Sequence, residues 1–331
     1  MFKCKSHYFF LFLIVSCSTS GGTSPEDTKS DHKPFAFFVA GHVYGAPFGT
    51  NVGVHEPFVE KFELITEDST MTFGVLTGDI VKTVSEASWN KADSIFALLN
   101  RPVYYIPGNH DITSLQDRRL FEDRYQKTYY SFVYQSSLFI MLDTTLDNGN
   151  ILNDQWHFLQ GQLDSRDDIK HVFIFFHHVV WMRPDNMFRN VAPNNQLNYN
   201  ILNFWSEIVP LLESLDQEVY LFSGDIGAWA LENSVHYYRD QNLHFIGSGM
   251  GGGKHDNFII VNVMNQKIDL RLIAINSDNI ESMGTLENHL LSYTLLDRFE
   301  ILSKKLSISL FVFIINIWVS SEFVIYLSSP D

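Results

Sequence analysis

The chain has 331 residues, of which 45% are hydrophobic and 18% charged, an ordinary composition for a globular protein apart from its 28 phenylalanines. That length fits one large α/β domain with end segments, or two modest domains. The formal net charge of −15 disfavours nucleic acid as a partner, because an acidic surface repels phosphate backbones. Both cysteines, Cys4 and Cys17, lie near the N-terminus, which excludes a disulfide framework in the body of the chain.

The N-terminal segment has the pattern of an export signal. Two lysines precede an apolar run, residues 8–15, that is too short to span a bilayer. The run is followed by Cys17 in a pattern that resembles a bacterial lipobox, in which the cysteine becomes the lipidated first residue. We therefore expect a signal peptide over 1–16 and a flexible tether over 17–33, with a plain secretory signal as the alternative. The domain would then be anchored to a bacterial membrane and face the periplasm or the cell exterior.

Alternating strands and helices follow the tether. Continuous apolar runs predict buried strands over 35–40, 72–77 and 102–106. Helical spacing between them predicts helices over 56–66 and 86–100. This order, with its short connections, predicts a parallel sheet with helices on its faces, and hence an α/β fold.

The second half of the chain continues in the same manner. Further strands are expected over 129–134, 138–142, 171–176, 219–222, 243–246, 258–263 and 268–275. Helices are expected over 154–163, where Asn153 is a candidate cap, and over 201–215. A long loop, 182–200, separates them, and loops of this length in compact domains often cover a site.

Polar side chains stand where the predicted strands end. They are His42, Asp79, the run 108–111, the pair at 177–178 and Asp225. Open α/β sheets bind their ligands at the carboxyl ends of the strands, so we expect these side chains to converge. Carboxylate and amide oxygens suit hard divalent cations, and imidazole suits zinc, iron or manganese. The set therefore predicts a metal site.

The order of these residues resembles the calcineurin-like metallophosphoesterase superfamily, whose motifs run D-x-H, G-D, G-N-H-D/E, H and G-H-x-H. The matching segments are 76–79, 107–111 and 175–178, with 155–159 and the Gly-rich turn 247–253 as further landmarks. The resemblance covers about residues 35–275. It implies an α/β fold of four layers, a metallophosphoesterase-like α/β/β/α sandwich, with the metal site at the carboxyl ends of the strands.

The resemblance also implies a role for each matching residue. Asp79 would bridge two metals, Asn109 would bind one of them, and His110 would assist the leaving group or stabilise the transition state. In the fourth motif the ligand usually lies two residues before a proline, whose place Val179 takes here. We therefore expect His177, rather than the histidine after it, to be the ligand.

Two motifs depart from the family pattern. Ala40 stands where the first motif carries its metal-binding aspartate, and Asp225 and Gly227 replace the two histidines of the last motif. In the family layout, one metal then keeps only His42 and Asp79. The losses fall on the side of this one metal.

The other metal keeps a complete set of oxygen and nitrogen ligands. In the family layout these are Asp79, Asn109, His177 and Asp225. We therefore expect one or two divalent ions of manganese, iron or zinc. His55, Glu56 and His255 are open candidates for replacement ligands.

The reaction implied by the resemblance is hydrolysis of a phosphate mono- or diester. Water activated at the metal would attack phosphorus in line, and His110 would protonate the leaving oxygen. Arg183 and Arg189 in the long loop are candidates for contacting an anionic substrate, with solvent exposure as the alternative. Because two motifs are altered, the alternative function is a catalytically impaired protein of this fold that binds a phosphorylated glycan or a protein partner.

The domain is expected over 34–276, followed by a C-terminal extension over 277–331. The extension contains a strongly apolar segment, 306–318. A transmembrane helix, a buried helix or strand pair, and a terminal sequence unrelated to the domain all fit this pattern. The polar residues Asn316 and Glu322 count against a transmembrane span.

Overall fold

The computed structural model describes the chain from Lys33 to Leu291 apart from short gaps. The described residues are 33–50, 53–164, 168–183, 186–229, 234–264 and 267–291. The predicted signal peptide, Cys17, the tether up to residue 32 and the apolar segment 306–318 lie outside these ranges. Within them, no helix has both the length and the apolar character needed to cross a membrane.

Two mixed sheets form the centre of the described part of the chain. Their strands are β1 (Phe35–Ala40), β2 (Met71–Thr77), β3 (Val103–Ile106), β4 (Tyr130–Tyr134), β5 (Ser137–Met141), β6 (His171–Phe176), β7 (Glu218–Ser223), β8 (Val235–Asp240), β9 (Leu243–Ser248), β10 (Asn257–Met264) and β11 (Lys267–Ala274). The first sheet has the order β11-β10-β1-β2-β3, and the second has the order β4-β5-β6-β7-β9-β8.

Parallel pairing occupies the middle of both sheets. In the first sheet β1, β2 and β3 are parallel, and β10 runs antiparallel beside β1. In the second, β5, β6, β7 and β9 are parallel, and β4 and β8 form antiparallel edges. Parallel strands end at the same edge of a sheet, so each sheet gathers its polar strand ends on one side. The predicted α/β fold is confirmed.

Helices connect the strands. They are α1 (Glu56–Val59), α2 (Phe62–Thr66), α3 (Glu86–Phe96), α4 (Leu115–Tyr125), α5 (Asn153–Leu163) and α6 (Val209–Glu213). The helix predicted over 56–66 is thus two short helices. The helix predicted over 201–215 starts with a π turn, Phe204–Ile208, before α6. Pro210 has no backbone N–H to close an α turn at this point, which favours the wider turn.

Three details differ from the sequence-based prediction. The helix α4 was not predicted, because only Phe121 of its residues is buried and no apolar stripe marks it. The strand β8 was also missed, since it lies at a sheet edge and its last two residues are exposed. Asn153 is not the cap of α5: Leu152 holds that position, and Asn153 begins the helix with a φ of 51°.

Aromatic side chains fill the space between the two sheets. The rings of Phe37 and Phe73 in the first sheet each lie 5.2 Å, centroid to centroid, from the ring of Phe139 in the second. Strand alternation turns Phe38 to the opposite face, where its ring lies 6.2 Å from that of Phe58 on α1. The outer face of the second sheet packs against α5 and α6. The central strands β1, β6 and β7 are therefore buried along almost their whole length.

Candidate metal centre

Asp79 lies at the centre of the candidate site, directly after β2. Its Oδ1 accepts a hydrogen bond from the backbone N–H of His110 at 3.0 Å and lies 3.4 Å from His177 Nε2. Its Oδ2 lies 3.4 Å from His42 Nε2. Burial acts to raise the pKa of this carboxyl, but the neighbouring imidazoles and the N–H of His110 outweigh burial and lower it below the ordinary value. Asp79 is therefore held as a carboxylate.

Two candidate ligands have a left-handed backbone. The angle φ is 53° at His42 and 55° at Asp79. This conformation costs a non-glycine residue about 1–3 kcal/mol and persists only where the surroundings hold it. Here the N–H of His42 donates to Gly78 O at 3.0 Å, and the N–H of Tyr44 donates to Asp79 O at 3.2 Å. The ends of β1 and β2 thus fix each other's turns.

Two glycines allow the strand ends to approach closely. A Cβ on Gly108 would lie 2.3 Å from Asp79 Oδ1, and a Cβ on Gly78 would lie 2.4 Å from His177 Nδ1. Gly78 also has a φ of 86°, which a side chain would strain. A side chain at either position would displace a candidate ligand.

His177 and Asn109 lie within hydrogen-bond distance of each other. The Nδ1–H of His177 donates to Thr77 O at 2.9 Å, so Nε2 of the neutral ring carries a lone pair. That nitrogen lies 3.0 Å from Asn109 Oδ1, which is also an acceptor in the side-chain orientation of the structure. A backbone carbonyl that fixes the tautomer of a histidine in this way is typical of metal ligands.

Asp225 adds an unpartnered carboxylate oxygen to this group. Its Oδ1 is buried, has no hydrogen-bond partner and lies 3.6 Å from His177 Nε2. Burial, followed by repulsion from the Asp79 carboxylate, raises the pKa of Asp225 well above its usual value. A buried carboxylate oxygen without a partner is costly unless a cation binds it.

The four residues together fit a divalent cation. Oxygens of Asp79, Asn109 and Asp225 lie 3.0–3.6 Å from one imidazole nitrogen of His177. A cation at this point would give the unpartnered oxygen of Asp225 a partner. Three oxygens and one nitrogen are a suitable set for a transition metal such as manganese, iron or zinc.

His178 has a different role from His177, although its ligand atoms lie within 4.8 Å of those of His177 and Asp225. Its Nδ1 lies 2.7 Å from Thr144 Oγ1, and its Nε2 lies 3.0 Å from Asn195 Nδ2, so both nitrogens have partners. Burial lowers the pKa of His178 to about 3, which keeps the ring neutral. This bonding supports His177 as the ligand and His178 as a residue that positions the strand end.

The long loop reaches the site through two asparagines that were not predicted. The backbone N–H of Asn195 donates to Asp225 Oδ2 at 3.2 Å, and that of Asn194 donates to Asp225 O at 2.9 Å. Nothing in the sequence connects this loop with residue 225, since the contact depends on the tertiary fold. Arg183 instead lines a cavity of about 290 Å³ that includes none of the candidate ligands, and Arg189 lies on the turn Met187–Asn190.

The metal that would use His42 and Asp79 has no further ligands. His42 has Asp79 as its carboxylate neighbour, and burial lowers the pKa of its imidazole to about 4. Ala40 is buried in an apolar cluster. Gly227 has a φ of 99°, and a Cβ there would lie 2.9 Å from Ser234 Cβ, so a larger side chain is not accommodated. Among the described residues, the His/Cys/Asp/Glu group at mutual ligand distances is His177, His178 and Asp225, on the other side of Asp79.

The three candidate replacement ligands do not fill this gap. His55 Nε2 lies 3.2 Å from Asp256 Oδ2, and Asp256 accepts hydrogen bonds from the Gly-rich turn. Glu56 is exposed on the first turn of α1. The carbonyl of His255 accepts a hydrogen bond from Asn257 Nδ2 at 2.9 Å. None of these contacts involves His42 or Asp79.

His110 lies at the open side of the site and is half-buried. Its Nδ1–H donates to Lys82 O at 3.0 Å, and its Nε2 lies 3.3 Å from Tyr44 Oη. Burial and nearby carboxylates raise the pKa of Tyr44, so its hydroxyl stays protonated and can donate to Nε2. Tyr44 is not among the predicted site residues. Its position two residues after His42 is the one sequence feature that points to the site.

Asp111 holds the loop that carries Asn109 and His110. Its buried carboxylate accepts hydrogen bonds from the backbone N–H groups of Gly108, Ile80 and Val81 at 2.8–3.1 Å. Burial and the Asp79 carboxylate raise its pKa well above the usual value. The third motif contains Asp111, so the sequence indicates that this residue belongs to the site. The sequence does not indicate that it positions the loop.

The chain is similar to one known protein family and, at low identity, to two solved structures. The family profile for calcineurin-like phosphoesterases matches residues 33–243, and a search of curated proteins gives no match. A Staphylococcus aureus protein assigned as a 5′-nucleotidase aligns at 9% identity and a TM-score of 0.46, over 82% of this chain and 58% of that chain. Vps29 of Chaetomium thermophilum aligns at 8% identity and a TM-score of 0.33, over 72% of this chain and 94% of that chain. The chain thus spans 58% of the length of the S. aureus protein.

The family assignment rests on the sequence profile together with the strand-end residues. The profile covers more than half of the chain, and it includes the segments that carry His42, Asp79, Asn109, His177 and Asp225. The predicted resemblance is therefore confirmed. The chain belongs to the calcineurin-like phosphoesterase family.

Proposed function

We propose that the protein is a metal-dependent hydrolase of phosphate mono- or diesters. The observation that carries the proposal is the unpartnered Asp225 oxygen facing His177, Asn109 and Asp79, with His110 beside them. These four residues would hold one divalent cation. When bound, the cation supplies a Lewis acid that neutralises charge on phosphoryl oxygens and makes water more acidic.

The protein's own residues then position the substrate and handle the proton. Asn109 and His110 are half-buried, whereas the other candidate ligands are buried, so a phosphoester approaches from their side. The imidazolium form of His110 carries the proton that a leaving oxygen needs at Nε2. Its Nδ1–H remains bonded to Lys82 O, which fixes the ring, and Tyr44 contacts the reacting nitrogen.

Turnover of phosphoesters tests the proposal. The full chain, supplied with manganese, iron or zinc, is assayed with p-nitrophenyl phosphate and bis-p-nitrophenyl phosphate. We expect metal-dependent hydrolysis of at least one of the two esters. The variants His110→Ala and Asp79→Ala should each lose about 100-fold or more in kcat. The exposed His157 and Asp123 provide the matched controls His157→Ala and Asp123→Ala, which should retain activity.

The same assay separates the proposal from its alternative. The losses at Ala40 and Gly227 favour a protein that keeps the fold and one metal but only binds a phosphorylated glycan or a protein partner. Metal binding without turnover of either ester would support this binding protein and contradict the hydrolase.

The membrane location is a separate proposal that rests on the sequence. We propose that Cys17 carries a lipid anchor that holds the domain in the bacterial cell envelope. Cells labelled with a radioactive fatty acid should yield a labelled protein, and Cys17→Ala should abolish the label while Cys4→Ala keeps it. An unlabelled wild-type protein would contradict the anchor.

A further inference from the structure

Two exposed aromatic side chains touch each other on loops that leave the candidate metal centre. Phe48 is 84% exposed and Trp229 is 59% exposed. They are the only Phe or Trp side chains among the exposed large apolar residues of the described chain. Their ring centroids are 5.4 Å apart, and the rings meet at 71°. We call Phe48 and Trp229 the aromatic rim.

Each member of the aromatic rim is connected to the site by a short segment. Trp229 follows Asp225 by four residues, so at most about 14 Å of extended backbone separates them. Phe48 follows His42 by six residues, and Gly49 O accepts a hydrogen bond from Lys82 Nζ at 2.7 Å. The carbonyl of Lys82 in turn holds His110. At most about 14 Å of backbone thus separates Trp229 from the candidate ligand Asp225, and Phe48 contacts Trp229.

The Gly-rich turn supports both loops from beneath. A Cβ on Gly252 would lie 2.9 Å from Ala46 Cβ, and a Cβ on Gly251 would lie 2.5 Å from Ala228 Cα. Asp256 fixes this turn by accepting hydrogen bonds from its backbone N–H groups at 2.8–3.1 Å. The Gly-rich turn thus packs against the backbone just before each ring, at Ala46 and at Ala228.

We propose that the aromatic rim binds a flat aromatic leaving group of the phosphoester substrate. The inference rests on the proposed function, because the metal centre would hold the phosphoryl group. An aromatic group against Phe48 and Trp229 removes apolar surface from water and adds ring contacts. A contact with an anionic membrane fits less well, since the chain carries a net charge of −15.

Binding of two phosphonates tests the inference without relying on turnover. Phenylphosphonate and methylphosphonate are titrated calorimetrically into the metal-loaded full chain. We expect the wild type to bind phenylphosphonate about 5- to 15-fold more tightly than methylphosphonate, the gain expected for ring contacts. Trp229→Ala and Phe48→Ala should each reduce this ratio several-fold without weakening methylphosphonate, and Trp229→Phe should restore most of it.

The control is Leu98→Ala, which removes another exposed apolar side chain, 65% exposed, and should leave the ratio unchanged. An equal affinity ratio in the wild type and both alanine variants would overturn the inference about the aromatic rim. The proposed hydrolase function would not be affected. Failure of the wild type to bind either phosphonate would overturn the proposed function and the inference with it. Binding of the wild type to anionic phosphatidylglycerol vesicles that is lost in Trp229→Ala, with an unchanged phosphonate ratio, would make the rim a membrane contact and overturn the inference.

Discussion

Asp225 gives the candidate metal centre a third oxygen donor where the family motif carries a histidine. Its carboxylate is buried, and burial together with the Asp79 carboxylate raises its pKa well above the usual value. Without a cation the ionised form is therefore unfavourable, whereas with a divalent cation the same charge becomes favourable. Metal affinity and the stability of the metal-free protein should respond in opposite directions when this charge is removed.

The variant Asp225→Asn separates these two effects. We expect it to raise the free energy of unfolding of the metal-free protein by about 1 kcal/mol at pH 7, because the cost of burying this carboxyl and its repulsion by Asp79 are both removed. It should weaken metal binding by at least about tenfold, because a charged ligand is lost. Denaturant unfolding in a chelator and calorimetric metal titration measure the two effects, with Asp123→Asn on the exposed side of α4 as the control. Unchanged metal affinity would exclude Asp225 as a ligand.

At the scale of the elements, the site depends on close packing between the loop after β3 and the end of β2. A Cβ on Gly108 would lie 2.3 Å from both the backbone nitrogen and Oδ1 of Asp79. We therefore expect Gly108→Ala to lower the free energy of unfolding by about 1–3 kcal/mol and to abolish metal binding. Thermal melting and metal titration check this.

The control for this variant is Gly161→Ala in α5, where an added Cβ meets nothing within 4 Å. That change should be neutral or should stabilise the helix by up to about 1 kcal/mol. If Gly108→Ala behaves like Gly161→Ala, the close approach does not constrain the site.

The sequence predicts those elements whose burial leaves a continuous apolar run. Four strands, β1, β2, β6 and β7, are buried on both faces, and the candidate site residues follow them closely in the chain. The sequence therefore predicts these strands and the residues at their ends. The helix α4 is polar and was missed. The contacts of Asn195 with His178 and of Tyr44 with His110 join residues 17 and 66 positions apart, which no local pattern reveals.

At the scale of the whole molecule, buried neutral histidines connect stability to pH. Burial lowers the pKa of His236 to about 3, and its Nε2 accepts a hydrogen bond from Trp181 Nε1 at 3.1 Å. Between its ordinary pKa of 6.5 and this value, the unfolded chain binds a proton that the folded protein does not. Stability therefore falls as the pH falls below about 6.5. His42 and His178, with lowered pKa values of about 4 and about 3, act in the same direction.

We expect His236→Gln, which keeps an acceptor for Trp181, to reduce this acid sensitivity. One such histidine contributes about 2 kcal/mol of lost stability between pH 6.5 and 5. The free energy of unfolding of the variant should therefore fall by about that much less than the wild-type value over this range, measured by denaturant unfolding at each pH. Equal pH dependence in both proteins would show that His236 is not held neutral by the fold.

The most direct test of the account is the metal content of the purified full chain. Elemental analysis after dialysis should find about one equivalent of manganese, iron or zinc per chain. Asp79→Ala and His177→Ala should lose it, whereas His42→Ala, on the side that lacks ligands, should retain it. A wild-type protein without metal, or the same metal content in Asp79→Ala and His177→Ala, would contradict the central claim that these residues form a metal centre.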